Sequence, residues 1–168
     1  MKKFPASLDT MSSVITFGIV CVMMSVIAII WITTGNNDSI GAKIYPTLLM
    51  SMIIVVAYSC SPRAFSIGSN GIVVHRHWDN VTIPFSDIKS AVIIEKVSNK
   101  GLIRTFGNGG LFGYYGDFRN REMGDMKWYL RRRCNVVLLE TAKSKILLSP
   151  NDSNGFLLAL QPHIAQQV

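Results

Sequence analysis

The residues most suggestive of chemistry form the stretch RTFGNGGLFGYYGDF, which runs from Arg104 to Phe118. Five glycines are interleaved with five aromatic residues, a mixture that is typical of neither a helix interior nor an ordinary strand. Glycine-rich loops can bind phosphate, but a P-loop requires GK[ST] after its glycines and a dinucleotide site requires G-x-G-x-x-G. Both patterns fail here, because Phe112 stands where the third glycine would be. The segment is therefore predicted to be a long connection between strands, without a nucleotide or other cofactor.

The aromatic residues of this stretch are its best candidates for contact with a membrane or a partner protein. Connections between strands carry binding residues more often than the strands themselves, and aromatic rings are favoured at the membrane interface. The rings could instead fold onto the neighbouring strands, which is the interpretation that we favour. The candidate residues are Phe106, Phe112, Tyr114, Tyr115 and Phe118.

The strongest charge signal is the run of three arginines at Arg131, Arg132 and Arg133, shortly after Lys127. If this segment is a strand, Arg131 and Arg133 share one face with Lys127, and Arg132 points away. Guanidinium groups bind phosphate through paired hydrogen bonds, so this row could contact an anionic lipid or an acidic partner. The alternative, which we favour, is a solvated sheet edge that is protected from aggregation by its charge.

Metal and catalytic sites have little support in the sequence. His75 and His77 alternate in a predicted strand and would project from one face, but no third ligand has a suitable spacing. The carboxylates are scattered, and none pairs with a histidine or serine in a nucleophile motif. Cys134 follows Arg133, yet no histidine base lies beside it in the sequence. We therefore predict a non-enzymatic protein with no metal, no cofactor and no small-molecule substrate.

The chain that carries these residues begins with two long apolar runs. Of its 168 residues, 49% are hydrophobic and only 16% are charged, which indicates an apolar part joined to a soluble part. No charged residue occurs from Thr10 to Asn37, and an uncharged run of about 20 residues can cross a bilayer as a helix. The second run opens with Pro46 in its predicted first turn. We predict a cytoplasmic N-terminus at residues 1–10, spans at 11–33 and 44–60, and an external turn at 34–43.

The basic residues predict the orientation of the two spans. Lys2 and Lys3 precede the first span and Arg63 follows the second, whereas the turn between them contains only Lys43. Both termini are therefore expected in the cytoplasm of a multi-pass cell-membrane protein. A cleaved signal peptide is the alternative, but the first run is long and a second run follows closely. The odd number of cysteines argues against a disulfide framework and is consistent with a reducing compartment.

The soluble part, residues 61–168, is predicted to be mainly β. Short β-branched and aromatic runs are separated by GSNG and DN, which is the pattern of strands joined by tight turns. Near the end, Ser149 is a possible helix N-cap, with Pro150 at the first helical position. Phe156 and Leu160 then recur at helical spacing, and Pro162 is expected to end the helix early.

This order of motifs resembles bacterial pleckstrin-homology-like (bacterial PH) domains that follow two N-terminal transmembrane helices. The resemblance is carried by SNGIVV, TIPFSDIKSA, GNGGLFGYYGDF, NVVLLET and the terminal ILLSPND, which together cover roughly Arg63 to Leu160. It implies a PH-like barrel of about seven antiparallel strands, capped by a C-terminal helix. A shared fold does not by itself establish an activity.

The expected function is therefore that of a displayed binding domain. Residues 61–168 hold 14 Lys and Arg against 8 Asp and Glu, which favours contact with the anionic lipid beneath a membrane. GLFG resembles an RNA-binding GxxG loop, but that loop needs flanking helices, so nucleic acid is not an expected partner. We expect a protein that associates with protein partners or with itself and contacts anionic lipid. The alternative is an accessory subunit of a membrane enzyme or transporter complex, whose site forms with another chain.

Overall fold

The architecture follows the predicted order of a helical hairpin, a mainly-β domain and a C-terminal helix. It comes from a computed structural model, which describes residues 2–35, 40–98 and 100–165. Part of the predicted external turn, residues 36–39, lies outside the described residues.

The two N-terminal helices are α1, Thr10–Thr33, and α2, Ile40–Cys60. Both are long and apolar enough to cross a membrane. Asp9 caps α1 by accepting a hydrogen bond from the Ser12 N–H at 2.7 Å, which satisfies one of the free donors of the first turn. Helix α2 begins before the predicted position, so Pro46 lies in its second turn and not in its first.

Within the described residues, ten strands form two sheets. The four-stranded sheet has the order β1-β2-β3-β4, with β1 at Lys2–Pro5, β2 at Ala64–Ile67, β3 at Gly71–His75 and β4 at Asn80–Pro84. A short 3-10 turn, Phe85–Asp87, leads into the second sheet. That sheet has the order β5-β9-β10-β8-β7-β6, with β5 at Ile88–Lys96, β6 at Ile103–Gly110, β7 at Gly113–Asn120, β8 at Gly124–Leu130, β9 at Cys134–Thr141 and β10 at Lys145–Leu148.

The central strands of the six-stranded sheet are buried on both faces. Because side chains alternate along a strand, Val137 and Leu139 of β9 join one hydrophobic core, and Val136 and Leu138 join another. The first core packs against the four-stranded sheet and the C-terminal helix, and it includes Phe65. The second core is centred on the fully buried Trp128. Because both of its faces are buried, the centre of β9 has a continuous apolar sequence without polar alternation.

The predicted PH-like barrel with a C-terminal helix is confirmed, and one pairing differs from an all-antiparallel sheet. Nine of the described strands follow α2, and β10 runs parallel to β8 while it pairs antiparallel with β9. Strands β8 and β9 run in opposite directions but are two positions apart, roughly 10 Å, because β10 lies between them. The segment before α1 also contributes a strand to the four-stranded sheet, since β1 pairs antiparallel with β2.

The C-terminal helix, α3, spans Ser153–Ala165 and begins later than predicted. Its N-cap is Asp152, whose carboxylate accepts a hydrogen bond from the Gly155 N–H at 2.8 Å. The predicted cap, Ser149, accepts instead from the Arg131 N–H at 2.8 Å, so it ties the end of β10 to the end of β8. The helix also continues through Pro162 to Ala165, where an early end was predicted.

Replacing Leu160 tests the role of α3 in closing the first core. Leu160 is fully buried, so Leu160→Ala should lower the free energy of unfolding by about 2–5 kcal/mol through a lost apolar contact and a residual cavity. Leu158 lies on the same helix with 67% of its surface exposed, and Leu158→Ala should change stability by only about 0.5 kcal/mol. Denaturant unfolding of the full chain in detergent micelles measures both. Equal destabilisation would contradict the packing of α3 described above.

Candidate functional site

The glycine-aromatic stretch is a β-hairpin and not the long connection that the sequence predicted. Strands β6 and β7 pair antiparallel, and Gly110 faces Gly113 across a turn made by Leu111 and Phe112. Gly107 and Gly116 face each other along the hairpin. A Cβ atom on Gly107 would lie 2.2 Å from the Tyr115 carbonyl oxygen, so only glycine fits there. Glycine is depleted in strands, which is why its density here indicated a loop.

The tip of this hairpin is hydrogen-bonded to α1 and to the residue that follows α2. The Ser12 hydroxyl of α1 donates to the Gly110 carbonyl oxygen at 2.7 Å, and the Phe112 N–H donates to the Thr16 hydroxyl at 2.8 Å. On the other side, the hydroxyl of Ser61, just after α2, donates to the Phe112 carbonyl oxygen at 2.6 Å. Side chains of α1 and of Ser61 therefore pair the polar backbone groups of the turn.

Two side chains of the hairpin pair the remaining polar groups near its tip. Asn108 accepts from the Leu111 N–H at 3.0 Å and donates to the Leu111 carbonyl oxygen at 2.8 Å. Its amide also contacts the Tyr115 hydroxyl at 2.9 Å, and that hydroxyl donates to the Ala57 carbonyl oxygen of α2 at 2.6 Å. Burial raises the pKa of Tyr115, so the hydroxyl keeps the proton that this bond requires.

The two helices also contact each other near the connection between them. The Trp31 indole N–H donates to the Thr47 hydroxyl at 3.2 Å, and the Lys43 ammonium lies 5.7 Å from the centre of the Trp31 ring. The helices are thus tied to each other near one end and to the hairpin tip near the other. These contacts join the helices and the β-domain through specific polar groups.

The five predicted aromatic residues have different environments. Tyr114, Tyr115 and Phe118 are buried, and Phe118 stacks on Trp128 with ring centres 4.0 Å apart. Phe112 packs edge-on against Tyr58 of α2 with ring centres 5.3 Å apart. Phe106, in contrast, has 76% of its surface exposed. Phe106 is therefore the member of this set that presents most of its ring to the surroundings.

The predicted row of cations is absent, because Arg131, Arg132 and Arg133 lie in the connection between β8 and β9 and not in a strand. Arg132 donates hydrogen bonds to the carbonyl oxygens before α3, including that of Pro150 at 2.5 Å. Arg133 lies over the rings of Tyr114 and Trp128, 5.1 and 5.4 Å from their centres. Lys127 lies 3.8 Å from the Asp117 carboxylate. Each of these cations has a partner within the fold.

Arg131 belongs to a different cluster, which the sequence did not predict. Its charge acts on Arg63 and His77, and the rings of His77 and Tyr58, near the end of α2, are 4.2 Å apart. Slight desolvation of the exposed His77 ring, with the guanidinium groups of Arg63 and Arg131, holds the pKa of His77 below its ordinary value of 6.5. Burial and Arg63 also lower the pKa of Arg131. The cluster, Arg63, His77 and Arg131, therefore carries concentrated positive charge next to the apolar helices.

Trp78 is a second feature that sequence reasoning missed. Its backbone N–H donates to the Ser59 carbonyl oxygen at 3.3 Å, which places it at the C-terminal end of α2, and 82% of its surface is exposed. Exposed indoles are common at membrane interfaces, and Trp78 lies beside the end of a helix that is long and apolar enough to cross a membrane. The sequence separates Trp78 from α2 by a full hairpin, so only the pairing of β2 with β3 reveals their proximity.

Comparison with known protein families matches residues 63–164 to the bacterial PH domain. The chain belongs to the bacterial PH domain family. The match begins just after α2 and includes all strands from β2 onward and most of α3. No curated protein and no solved structure matches the chain. Strand β1 and both apolar helices are therefore additions to the matched bacterial PH domain.

The paired histidines do not share a strand of this PH domain. Strand β3 ends at His75, so His77 lies beyond it, and the prediction that both project from one strand face is wrong. His75 forms a 2.8 Å hydrogen bond with the Ser66 hydroxyl. Over residues 2–35, 40–98 and 100–165, no three His, Cys, Asp or Glu side chains form a group that could hold a metal ion.

Replacing Ser12 tests the contact between the PH domain and α1. Ser12 is fully buried, and Ser12→Ala removes the 2.7 Å donor to Gly110, leaving only the longer 3.3 Å contact from Thr16. A poorly satisfied buried carbonyl should lower the free energy of unfolding by about 1–3 kcal/mol. The matched control is Ser13→Ala, because Ser13 is exposed on the same turn. Unfolding in detergent micelles compares them, and an equal effect of both substitutions would rule out this contact.

Proposed function

We propose that this chain is a non-enzymatic integral membrane protein. In this proposal, it holds a bacterial PH domain against the cytoplasmic face of the membrane for contact with protein partners, with copies of itself and with anionic lipid. The observation that carries the proposal is the hairpin tip, whose backbone is hydrogen-bonded to Ser12 and Thr16 of α1 and to Ser61 after α2. A domain linked only by a flexible segment would not need such contacts.

The position of β1 supports a common side for the N-terminus and the PH domain. Lys2–Pro5 precedes α1, yet it pairs with β2, which follows α2. Two spans return the chain to its starting side, so this pairing requires no further crossing. The basic residues before α1 and after α2 favour the cytoplasmic side for both.

The surface beside the helix ends supports contact with anionic lipid. It combines the exposed indole of Trp78 with the cations of Arg63 and Arg131. Aromatic rings are favoured at headgroup depth, and each basic residue near an anionic leaflet contributes about 1 kcal/mol of attraction. The unpaired edge of β6 offers backbone groups for a protein contact, since β6 pairs only with β7 among the described strands.

Cysteine labelling tests the membrane orientation. In intact cells, an impermeant maleimide should label a cysteine introduced by Asn37→Cys, while the exposed Cys134 should react only after the membrane is permeabilised. Cys21 and Cys60 are replaced by alanine in both chains, and Cys134 is also replaced in the Asn37→Cys chain, so that each chain keeps one thiol. Recovery of the chain in an alkali-washed membrane fraction is the accompanying control. Labelling of Cys134 in intact cells would contradict the proposed orientation.

The titration of His77 tests the anionic-lipid contact. In nanodiscs of neutral phosphatidylcholine, NMR should place the His77 pKa below 6.5, because slight desolvation and the charges of Arg63 and Arg131 disfavour the imidazolium. Phosphatidylglycerol should raise this pKa, since nearby phosphates stabilise the charged form. The full chain is required, because β1 is part of the sheet.

Arg63→Gln provides the control for this titration. It should raise the His77 pKa in neutral nanodiscs by removing one of the repelling cations, and it should weaken the response to phosphatidylglycerol. An identical His77 pKa in neutral and anionic nanodiscs would remove this cluster from the proposed lipid contact.

A further inference from the structure

An apolar groove runs between α2 and the outer side of the β6–β7 hairpin. Its helix wall is a stripe of residues from Leu49 to Cys60, which includes Val56, and its other wall includes Phe106 and Tyr115. The stripe is about 16 Å long at the helical rise per residue. The cavity has a volume of about 450 Å³ and opens along α2.

The groove offers a ligand no strong hydrogen-bonding side chain, since its one free group is the weakly polar thiol of Cys60. Its two more polar side chains, Asn108 and Tyr115, are both engaged within the protein. Asn108 binds both backbone groups of Leu111, and the Tyr115 hydroxyl donates to the Ala57 carbonyl oxygen. A polar ligand would lose its hydration here without replacement bonds, so the chemistry of the groove selects an apolar occupant.

The choice between apolar occupants follows from the side chains of the helix wall. Helix interfaces within membranes are enriched in small residues that allow close backbone approach. Apart from Ala57 and Cys60 at its end, this wall presents the bulky residues Leu49, Met52, Ile53 and Val56, each with 48–64% of its surface exposed. Such side chains keep the backbone of a second helix at a distance, whereas a flexible hydrocarbon chain can follow their surface. The wall is also continuous with the outward surface of α2, which faces hydrocarbon if α2 spans the membrane.

We infer that this groove holds an acyl chain of a membrane phospholipid. The inference rests on the proposed function, because only a membrane-spanning α2 places the groove against lipid tails. The exposed ring of Phe106 then covers the chain from the side of the PH domain. The bound lipid would fill the space between the hairpin and α2, beside the tip contacts.

Native mass spectrometry of the full chain, extracted from phosphatidylcholine nanodiscs into mild detergent, tests this inference. The wild-type chain should retain one phospholipid. Val56→Phe fills the groove and should reduce that retained fraction by about tenfold, the effect of a loss of 1.4 kcal/mol in binding. The matched control is Val55→Phe: Val55 is similarly exposed, at 59%, but does not line the groove, so lipid retention should be unchanged.

The outcomes separate this inference from the proposed function. If the wild-type chain is absent from the alkali-washed membrane fraction, the proposed function fails and the inference fails with it. If the chain is integral but the two variants retain lipid equally, the groove inference alone is overturned. The wild-type chain could instead show the mass of a dimer, with Val56→Phe showing the mass of a monomer. That result would assign the groove to a second copy of the chain and would also overturn the acyl-chain inference.

A spin-labelled phosphatidylcholine provides a second measurement. With the label near the end of its acyl chain, the lipid should show a larger motionally restricted component in nanodiscs that contain the wild-type chain or Val55→Phe than in nanodiscs that contain Val56→Phe. Equal components in all three would overturn the inference.

Discussion

The structure depends on one constraint, the need to pair backbone N–H and C=O groups where little water can reach them. The tip of the β6–β7 hairpin lies against two helices that are apolar enough to span a membrane, and an unpaired polar group costs several kcal/mol in hydrocarbon. Ser12, Thr16 and Ser61 meet this need from the helix side. Asn108 meets it from within the hairpin. The same hydrogen bonds that satisfy the tip join the PH domain to the apolar helices.

This constraint gives the glycines of the hairpin a structural role. Gly107 and Gly116 let β6 and β7 approach closely. Positive φ angles at Gly110 and Gly113 allow the tight turn that contacts α1 and Ser61. The aromatic residues divide between the second core and the helix contacts, leaving Phe106 beside α2. A segment that resembles a phosphate-binding loop in sequence thus acts as a connector. The exposed ring of Phe106 and the cluster of Arg63, His77 and Arg131 are the features from which membrane contacts are proposed.

The sequence predicted the elements whose signal is local. Apolar length identified α1 and α2, and the order of strand motifs identified the bacterial PH domain, a family that the match over residues 63–164 confirms. Features that depend on distant pairing were missed. Strand β1 is too short to recognise without its partner β2. The cluster brings together Arg63 and Arg131, which most of the domain's sequence separates. Arg132 and Arg133 were assigned to a strand because the β8–β9 connection is only three residues long.

The most direct test of the account is amide hydrogen exchange at Phe112 in nanodiscs, because that N–H donates to the Thr16 hydroxyl of α1. The account predicts strong protection of this amide in the wild-type chain. Thr16→Val removes the acceptor while nearly preserving side-chain size, and should make exchange faster. An amide at Phe112 that exchanges as fast as an exposed one in the wild-type chain would contradict the docking of the hairpin on the helices, and with it the proposal of a PH domain held against the membrane.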